Sequence, residues 1–254
     1  MTLPVTPSFS LEGRRALVTG AGRGIGLAAA AALAQAAAEV TLVARTASEI
    51  EAAEAELEAA GHKAQAVTLD VSDLAAVSAF FESRDPFHVL VNNAGTNRPK
   101  PMWDANEDDF DAVLGLNVKS AFFVAQACVK RMMGTGTQGS LIHMGSQMGH
   151  VGGPNRSLYC ASKWAMEGMN KAFALDLAPH GIRSNTIAPT FIETPLTRPF
   201  FEDEAFRASV LSKIKLGRIG QPEDLMGAVL FLACDASALM TGTSLVVDGG
   251  WTAE

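Results

Sequence analysis

The sequence predicts an α/β fold: a doubly wound sheet of about seven parallel strands in a single domain, with helices on both faces. Short β-branched runs alternate with longer helical patterns along the 254 residues, and this order implies right-handed crossovers. The early strands, Ala16–Val18 and Val89–Val91, are wholly apolar, as strands buried on both faces of a parallel sheet are. No repeat, low-complexity tract or linker interrupts residues 1–254, so we expect one domain.

Each expected strand is a short apolar or β-branched run, and each expected helix is a longer segment between two such runs. The strands are expected at Ala16–Thr19, Val40–Ala44, Ala64–Thr68, Val89–Val91, Ser140–Met144, Arg183–Ile187 and Ser244–Val247. The helices are expected at Ile25–Ala36, Ala47–Ala60, Leu74–Glu82, Asp108–Met133, Leu158–Leu177 and Pro222–Ala233. Residues Met1–Leu11 precede the first strand and are expected to form a loosely held arm.

Composition excludes several classes of protein. With 20 basic and 27 acidic residues the net charge is −7, which speaks against nucleic-acid binding, because that function relies on Lys and Arg to neutralise phosphates. Three cysteines without a CxxC pair argue against a disulfide scaffold and a structural zinc site, and we expect no metal. The N-terminus has no signal-peptide core, and the longest apolar run, Leu27–Ala38, is shorter than the ~18 residues of a membrane span. We therefore expect a cytoplasmic protein that does not bind membranes.

Four glycines lie between the first strand and the first helix, in the segment Thr19–Gly26. The order G-x-x-x-G-x-G carries an extra glycine at 22 and lacks the spacing G-x-G-x-x-G. Glycines allow a tight turn and close approach of the backbone to a pyrophosphate, which the positive end of the helix then holds. The turn predicts a dinucleotide site, formed by Gly20, Gly22, Arg23, Gly24, Ile25 and Gly26.

Residues after the second and third strands bear on the adenosine end of that site. An acidic residue after the second strand would bind the ribose 2′-OH, but Ala44 and Arg45 occupy this place. Arg45, together with Arg23, can bind a 2′-phosphate in bidentate fashion, so we favour NADP(H) and keep NAD(H) as an alternative. Asp70 can accept a hydrogen bond from adenine beside Val71, or it can instead form a helix N-cap or an Asx turn.

The later strands end in residues that can carry chemistry. Small residues after the fourth strand, Asn93, Ala94 and Gly95, leave room for a cofactor across the strand ends. Ser146 follows the fifth strand, and Tyr159 and Lys163 share one face of the next helix. A nearby ammonium lowers the pKa of a phenol, which can then exchange a proton with a substrate oxygen that Ser146 holds.

Other interpretations of these residues are weaker. Ser146 lacks the G-x-S-x-G surroundings of a hydrolase nucleophile, and no Asp partner for His150 is evident. Cys160 is expected to be a small buried residue that faces away from Tyr159 and Lys163. His143 lies inside a strand, where a packed core residue is expected.

Taken together, these motifs resemble the short-chain dehydrogenase/reductase family, with its Rossmann fold, over nearly the whole chain. The matching segments are Thr19–Gly26, Asp70–Val71, Asn92–Gly95, Leu116–Val118, Ser146, Tyr159–Lys163, Met240–Gly242 and Val247–Gly250. Within the family, the sequence is similar to 3-oxoacyl reductases and to sugar or polyol dehydrogenases.

The resemblance implies an oxidoreductase that transfers a hydride between a nicotinamide and a carbonyl or secondary alcohol. Tyr159 would be the general acid and base, Lys163 would lower its pKa and hold the nicotinamide ribose, and Ser146 would orient the substrate oxygen. Asn117 would anchor a water that links Lys163 to solvent. The family's usual homotetramer, or a homodimer, is implied as well, with the long helices near 108–133 and 158–177 at the subunit contacts.

Two departures from the family pattern concern local structure. The family's Asn-Pro-Gly after the sixth strand is Ala188-Pro189-Thr190 here, and contacts to the nicotinamide amide are expected from Ile192 and Thr194, beside Pro189. The first helix, followed by Gln35–Ala38, lacks a C-terminal glycine. An alanine in the left-handed conformation at this position would cost ~1 kcal/mol.

Loops after the fourth, fifth and sixth strands are expected to line the substrate pocket. The candidates are Asn97, Trp103, Gln147, Met148, His150, Arg156, Thr190 and Phe191. A flexible lid is expected over about 195–215, with Phe200 and Phe201, because lids exclude water on closure. Fold does not fix substrate, so sugars, polyols, hydroxyketones and acyl thioesters all remain open.

Three functions are compatible with this pattern. An NADP(H)-dependent carbonyl reductase or alcohol dehydrogenase is favoured, with an NAD-dependent sugar or polyol dehydrogenase as its variant. A non-catalytic nucleotide sensor on the same fold would be free to lose Ser146, Tyr159 or Lys163, and all three are present. Enzymes that dehydrate or epimerise nucleotide sugars tend to have a further substrate domain, for which 254 residues leave little room.

Overall fold

Seven strands and eight α-helices alternate along residues 2–253, which are the residues that this computed structural model describes. The strands are β1 (Arg15–Thr19), β2 (Glu39–Ala44), β3 (Ala64–Thr68), β4 (Val89–Asn92), β5 (Gly139–Met144), β6 (Ile182–Pro189) and β7 (Ser244–Val247). The helices are α1 (Gly24–Gln35), α2 (Ala47–Ala59), α3 (Leu74–Glu82), α4 (Glu107–Leu114), α5 (Ala121–Thr135), α6 (Ser157–Leu177), α7 (Glu204–Lys213) and α8 (Met226–Ala233).

All seven strands belong to one parallel sheet, in the order β3-β2-β1-β4-β5-β6-β7. The chain starts in the middle at β1, builds outward to β3, and returns to β4 on the other side of β1. Ligands of doubly wound sheets bind beyond the carboxyl ends of the strands at such a reversal. The predicted fold class is therefore confirmed, and every predicted strand is present.

A hydrophobic core covers each face of the sheet, as the apolar strand sequences predicted. On one face Val18 and Leu42 pack in the same cluster as Leu33 of α1 and Val229 of α8. On the other face Leu17 and Leu90 share a cluster with the aromatic residues of α3 and with α5 and α6. Adjacent strand residues thus point to opposite cores, which explains why β1 and β4 contain no polar face.

One predicted helix is interrupted. Instead of a single helix over Asp108–Met133, the segment Gly115–Ser120 between α4 and α5 is π-helical. The Ser120 hydroxyl donates to the carbonyl oxygen of Gly115, five residues earlier, at 3.0 Å, which fits the wider turn of a π-helix. Likewise, the predicted helix Pro222–Ala233 begins with a 3₁₀ turn, Pro222–Leu225.

The N-terminal arm is shorter than predicted. Residues 2–10 are exposed, but Leu11 is only 2% exposed and its amide donates to the carbonyl oxygen of Ala36 at 2.7 Å. This hydrogen bond and the apolar core hold Leu11 in the fold, so the arm ends at Ser10. Met1 lies outside the described residues.

The end of α1 has the strained geometry that its sequence predicted. Ala37 has φ of 73°, in the left-handed region that disfavours residues other than glycine. The next amide, that of Ala38, donates to the carbonyl oxygen of Leu33 at 3.1 Å, the long-range bond of a Schellman motif.

The stretch Glu107–Thr135 is long and apolar enough to cross a membrane by length and composition alone. A mostly buried core helix meets the same criterion, and 44% of the most apolar window is buried inside the fold. Val124, Cys128 and Met132 of α5 pack into the core on the sheet. The apolar character of this segment is therefore explained in part by its packing.

Candidate active site

A cleft of about 420 Å³ lies beyond the carboxyl ends of the strands, and it extends from the glycine turn to the segment before α7. It collects residues from turns that are far apart in sequence, because parallel strands end at the same edge of the sheet. Every residue predicted to bind a dinucleotide lines it: Gly20, Gly22, Arg23, Gly24, Ile25, Gly26, Arg45, Asp70, Val71, Asn93, Ala94, Gly95, Tyr159, Lys163, Pro189, Ile192 and Thr194.

The glycine turn is built so that three of its positions require glycine. Gly20 has φ of 65° and Gly24 has φ of 56°, a conformation that glycine adopts without strain. A Cβ atom on Gly26 would overlap the carbonyl oxygen of Gly20 and lie 2.6 Å from Nδ2 of Asn93. The backbone here is consequently bare, as close approach of a phosphate requires.

The turn after β4 is tied to the glycine turn. The Thr19 hydroxyl accepts from the amides of Asn93 and Ala94, both at 3.0 Å. Nδ2 of Asn93 donates to the carbonyl oxygens of Thr19 and Gly20 at 3.0 and 3.2 Å. These bonds fix the distance between the two walls of the cleft, so the site is organised by the protein itself.

The donor set of the cleft fits a dinucleotide. Arg23 precedes α1 without a side-chain cap, which leaves the first amides of the helix available for an anion. The Thr190 hydroxyl is buried at the cleft and has no hydrogen-bond partner among residues 2–253. Glycines without side chains, open amides and an unpaired hydroxyl together match the needs of a phosphate group and an amide-bearing ring.

At the outer end of the cleft, the side chains of Arg45 and Arg23 differ in whether they have an acidic partner. Arg45 forms no hydrogen bond or ion pair within the described part of the chain, although its charge helps to lower the pKa of Asp70. Arg23, in contrast, lies 3.0 Å from Oε1 of Glu49. Arg23 is thus paired with Glu49 at an exposed position, and its part in binding a phosphate stays a prediction.

Asp70 adopts one of the local roles weighed for it, the Asx turn. Its Oδ1 accepts from the amide and the hydroxyl of Ser72 at 2.9 and 2.7 Å, which is an Asx turn. These bonds, the backbone one foremost, lower the pKa of Asp70. The N-cap of α3 is Asp73 instead, and Asp70 remains at the cleft wall.

Ser146, Tyr159 and Lys163 meet at the inner end of the cleft. Tyr159 and Lys163 lie one turn apart on α6, with Nζ of Lys163 5.5 Å from the centroid of the Tyr159 ring. Nζ also donates to the carbonyl oxygen of Met144 at 2.7 Å. The Ser146 hydroxyl accepts from the amide of Met148 at 3.1 Å, which orients it at the end of β5.

Burial controls the pKa values of this group. Desolvation raises the pKa of Tyr159 above its ordinary value of 10.0, against the opposing effects of the Ser146 hydroxyl and the Arg156 charge. Desolvation also lowers the pKa of Lys163 to about 8, while Glu167 acts in the other direction. The pKa of Tyr159 is governed here by burial, Ser146, Arg156 and Cys160, and Nζ of Lys163 is bound to the Met144 carbonyl oxygen, so the expectation that Lys163 lowers this pKa stays a prediction.

Asn117 is buried in the π-helical segment and does not line the cleft. Its Oδ1 accepts from the amide of Thr96 at 2.8 Å, and its Nδ2 donates to the Thr96 carbonyl oxygen and the Ser162 hydroxyl at 2.9 and 3.0 Å. The side chain therefore fastens the loop after β4 to α6. Both side-chain amide hydrogens are thus engaged, and the water that the family resemblance implies stays a prediction.

Six of the eight predicted substrate-pocket residues line the cleft: Asn97, Gln147, Met148, Arg156, Thr190 and Phe191. Two do not, and both expectations are corrected. Trp103 is 80% exposed on a 3₁₀ turn. Nε2 of His150 lies 3.0 Å from the Ser244 hydroxyl and 3.7 Å from Oε1 of Glu167, because these partners draw it toward β7.

The segment expected to be a flexible lid, 195–215, is largely helical, with a 3₁₀ turn at Arg198–Glu202 followed by α7. Its rings pack together and against Phe191: the centroid of Phe191 lies 6.0 Å from that of Phe201 and 5.7 Å from that of Phe206. These contacts give the segment a core of its own. It still closes one side of the cleft through Pro195, Leu196, Thr197 and Phe200.

Sequence reasoning missed Glu167, which is buried behind Lys163 and accepts from the Thr186 hydroxyl at 2.9 Å. Burial raises the pKa of this carboxyl group. The signal was readable, because Tyr159, Lys163 and Glu167 follow one another at intervals of four on a helix. Cys160 is only partly buried, whereas a buried residue was predicted. His143 is fully buried, as predicted.

Comparisons with known proteins agree with this geometry. A family model described as enoyl-(acyl carrier protein) reductase matches residues 20–252. Gluconate 5-dehydrogenase of Gluconobacter oxydans (strain 621H) is 38% identical over 96% of each chain, and D-erythrulose reductase of Gallus gallus is 35% identical over 96% of this chain and 98% of its own. The crystal structure of a gluconate 5-dehydrogenase from Burkholderia cenocepacia J2315, in complex with NADP and tartrate, has a TM-score of 0.93 and 37% identity, and covers 97% of this chain and 98% of its own.

Proposed function

Because the chain belongs to the short-chain dehydrogenase/reductase family and is thus an NAD(P)-dependent oxidoreductase, we propose that it interconverts a polyhydroxylated ketone and its secondary alcohol, with NADP(H) preferred. One observation carries the proposal: Ser146, Tyr159 and Lys163 meet at the inner end of a cleft whose outer end is the glycine turn. Proton-transferring groups therefore lie beside the place where a nicotinamide ring fits.

The reaction needs a hydride at carbon and a proton at oxygen, and the bound nicotinamide supplies or accepts the hydride. The chain's own residues manage the proton. In reduction, the Tyr159 hydroxyl donates a proton to the substrate oxygen, and in oxidation its phenolate accepts one. Burial raises the pKa of this phenol above its ordinary value of 10.0.

Ser146 and Lys163 support that proton transfer in different ways. The Ser146 hydroxyl holds the substrate oxygen beside Tyr159. Less entropy is therefore lost when the reacting atoms align for the reaction. The Lys163 ammonium favours the phenolate once the proton has left. We assign Asn117 a positioning role, since its hydrogen bonds join the loop after β4 to α6.

The preference for NADP(H) is supported by Arg45 and by the lack of an acidic residue at position 44. Arg45 is available for the 2′-phosphate, whereas Glu49 already engages Arg23. NADP is bound in the Burkholderia cenocepacia relative. NAD(H) remains the alternative cofactor.

We also propose a cytoplasmic homotetramer, or a homodimer, as the family resemblance implies. Exposed apolar side chains on α4 and α6, Phe110, Trp164 and Leu175, support such an assembly. Apolar side chains of this size on neighbouring helices are typical of subunit contacts.

The proposal is tested by following nicotinamide absorbance with NADP(H) and NAD(H) against a mixed library of sugar ketones, polyols, sugar acids, acyl thioesters and simple carbonyl compounds. We expect turnover with at least one polyhydroxylated member, and a higher kcat/KM with NADP(H). Turnover confined to acyl thioesters, or no change in absorbance with any compound while both cofactors bind, would refute the proposed reaction.

A further inference from the structure

We infer that Arg156 is an anchor for a carboxylate, and that the substrate class is hydroxy and keto carboxylates of the sugar-acid type rather than uncharged polyols. The inference rests on the proposed function, since it deals with the same cleft. It narrows the polyhydroxylated substrates of that function to those that carry a carboxylate.

Arg156 is a buried cation with no partner. Arg156 is only 8% exposed and lines the cleft, yet within residues 2–253 its guanidinium forms no hydrogen bond and no ion pair. Arg183, which is also partly buried, instead donates to the carbonyl oxygens of Leu232, Cys234 and Met240. Among the described residues, the buried polar atoms without a partner belong to His143 and Thr190 and not to Arg156, so the guanidinium nitrogens open onto the cleft, where their unused donors are available to a ligand.

Aromatic rings fix the place of this charge. The Arg156 guanidinium carbon lies 5.8 Å from the ring centroid of Phe191 and 5.4 Å from that of Phe200, within the range of cation–π attraction. The rings contact the guanidinium but cannot accept its hydrogen bonds as oxygen atoms would. The N–H donors are therefore held in position and remain available to a planar anion, which a carboxylate is.

The surrounding charges favour an anion at this end of the cleft. The two acidic residues that line the cleft, Glu49 and Asp70, lie with the glycine turn and the end of β3, and each is engaged, with Arg23 and Ser72 respectively. At the inner end, the charged residues of the lining are Arg156 and Lys163. Since Lys163 donates to the Met144 carbonyl oxygen, Arg156 is the cation left for a substrate.

The position of Arg156 relative to the reacting groups defines what the ligand must carry. Arg156 precedes Tyr159 by three residues, and its charge acts on the Tyr159 phenol. A ligand that places an oxygen at Tyr159 and Ser146 can therefore reach Arg156 with a second group. Phosphates of a dinucleotide belong at the glycine turn, at the outer end of the cleft, so this second group belongs to the substrate.

The test measures binding to the NADP-loaded protein by titration calorimetry. The probes are a panel of aldonates, each with the aldonamide and the alditol of the same carbon skeleton, D-gluconate, D-gluconamide and D-glucitol among them. We expect at least one aldonate to bind about 30-fold or more tightly than its uncharged matches, as a charge-assisted pair in a desolvated pocket allows. If the uncharged members of the panel bind as tightly as every aldonate, the inference is overturned before any variant is made.

Variants then assign the preference to Arg156. In Arg156→Gln we expect the preference for the aldonate to vanish while binding of the alditol changes less than about 3-fold, and Arg156→Lys should keep part of it. Arg14→Gln, at the opposite edge of the sheet and paired with Asp235, is the matched control. A preference that persists in Arg156→Gln, with an unchanged melting profile, would contradict the assignment.

Turnover of the same panel distinguishes a failure of the Arg156 assignment from a failure of the proposed reaction. Oxidation of alditols as efficient as that of aldonates would overturn the role of Arg156 but leave the proposed reaction intact. Aldonate binding that depends on Arg156, without any change in nicotinamide absorbance, would support the anion site and refute the reaction.

Discussion

Gly26 lies where the glycine turn enters α1, with the Gly20 carbonyl in the place that a side chain would need. We expect Gly26→Ala to lower the free energy of unfolding by about 1–3 kcal/mol, because overpacking forces the backbone to move. The same shift should weaken NADP(H) binding at least tenfold, since it displaces the amides of α1. Chemical denaturation and fluorescence titration of the cofactor measure the two effects.

Gly227→Ala is the matched control for this substitution. Gly227 is on the exposed side of α8, and a Cβ atom there meets nothing within 4 Å. In a helix, alanine is favoured over glycine by roughly 0.5–1 kcal/mol. Equal effects of the two substitutions would show that close packing at Gly26 is not what the turn depends on.

Lys163 gives stability a dependence on pH that its burial predicts. The pKa of Lys163 is about 8 in the folded protein and 10.5 ordinarily, so between these values the unfolded chain binds one more proton than the folded chain. The contribution of this group is present in full above pH 10.5 and is lost as the pH falls through about 8. Across this window the free energy of unfolding should rise by about 1.4 kcal/mol per pH unit from Lys163 alone.

Urea denaturation of the cofactor-free protein at several pH values between 7 and 10 measures this slope. In Lys163→Met the free energy of unfolding should rise less steeply with pH, by the amount that corresponds to one proton, because no ammonium is left to be desolvated. Parallel curves for the two proteins would mean that Lys163 keeps its ordinary pKa when folded.

At the level of elements, α1 ends in a conformation that its sequence does not favour. Ala37 is exposed and has φ of 73°, so Ala37→Gly should raise the free energy of unfolding by about 1 kcal/mol. Ala36→Gly, one residue earlier at φ of −87°, should bring no such gain. Thermal denaturation of both variants checks the difference, and an Ala37→Gly protein no more stable than the parent would contradict it.

The strands could be predicted more accurately than the helices, and the reason is physical. An apolar run such as Leu17–Val18 packs into both cores, so its sequence alone reports its place. Within the π-helical segment, Asn117 bonds to Thr96 and Ser162, which are distant in sequence. Periodicity predicted one continuous helix because it does not report such tertiary contacts.

The cofactor end of the site was predictable, whereas the substrate end was so only in part. Spacing placed Tyr159 and Lys163 on one helical face, and the glycines marked the turn. Nothing in the local sequence shows that Arg156 is buried without a partner, or that His150 turns toward Ser244 and Glu167. Those facts depend on which loops contact one another above the sheet. Contacts between loops that are distant in sequence leave no short motif by which they could be predicted.

At the scale of the whole molecule, the apolar surface of α4 and α6 bears on assembly. Trp164 is 55% exposed on α6, and we expect Trp164→Glu to shift the sedimentation coefficient toward a smaller species, because a charge at a subunit contact is desolvated without a partner. Leu3→Glu, in the exposed arm, is the control. A wild-type protein that sediments as a monomer would refute the proposed tetramer or dimer.

The proposed reaction depends on the proton that Tyr159 carries at the inner end of the cleft. The most direct measurement compares the wild-type protein with Tyr159→Phe, which removes the hydroxyl and keeps the ring, by turnover and by NADPH binding. We expect kcat to fall about 10²–10⁴-fold while the Kd of NADPH changes less than about threefold. A phenylalanine variant that retained more than a tenth of the wild-type kcat would show that another group moves the proton.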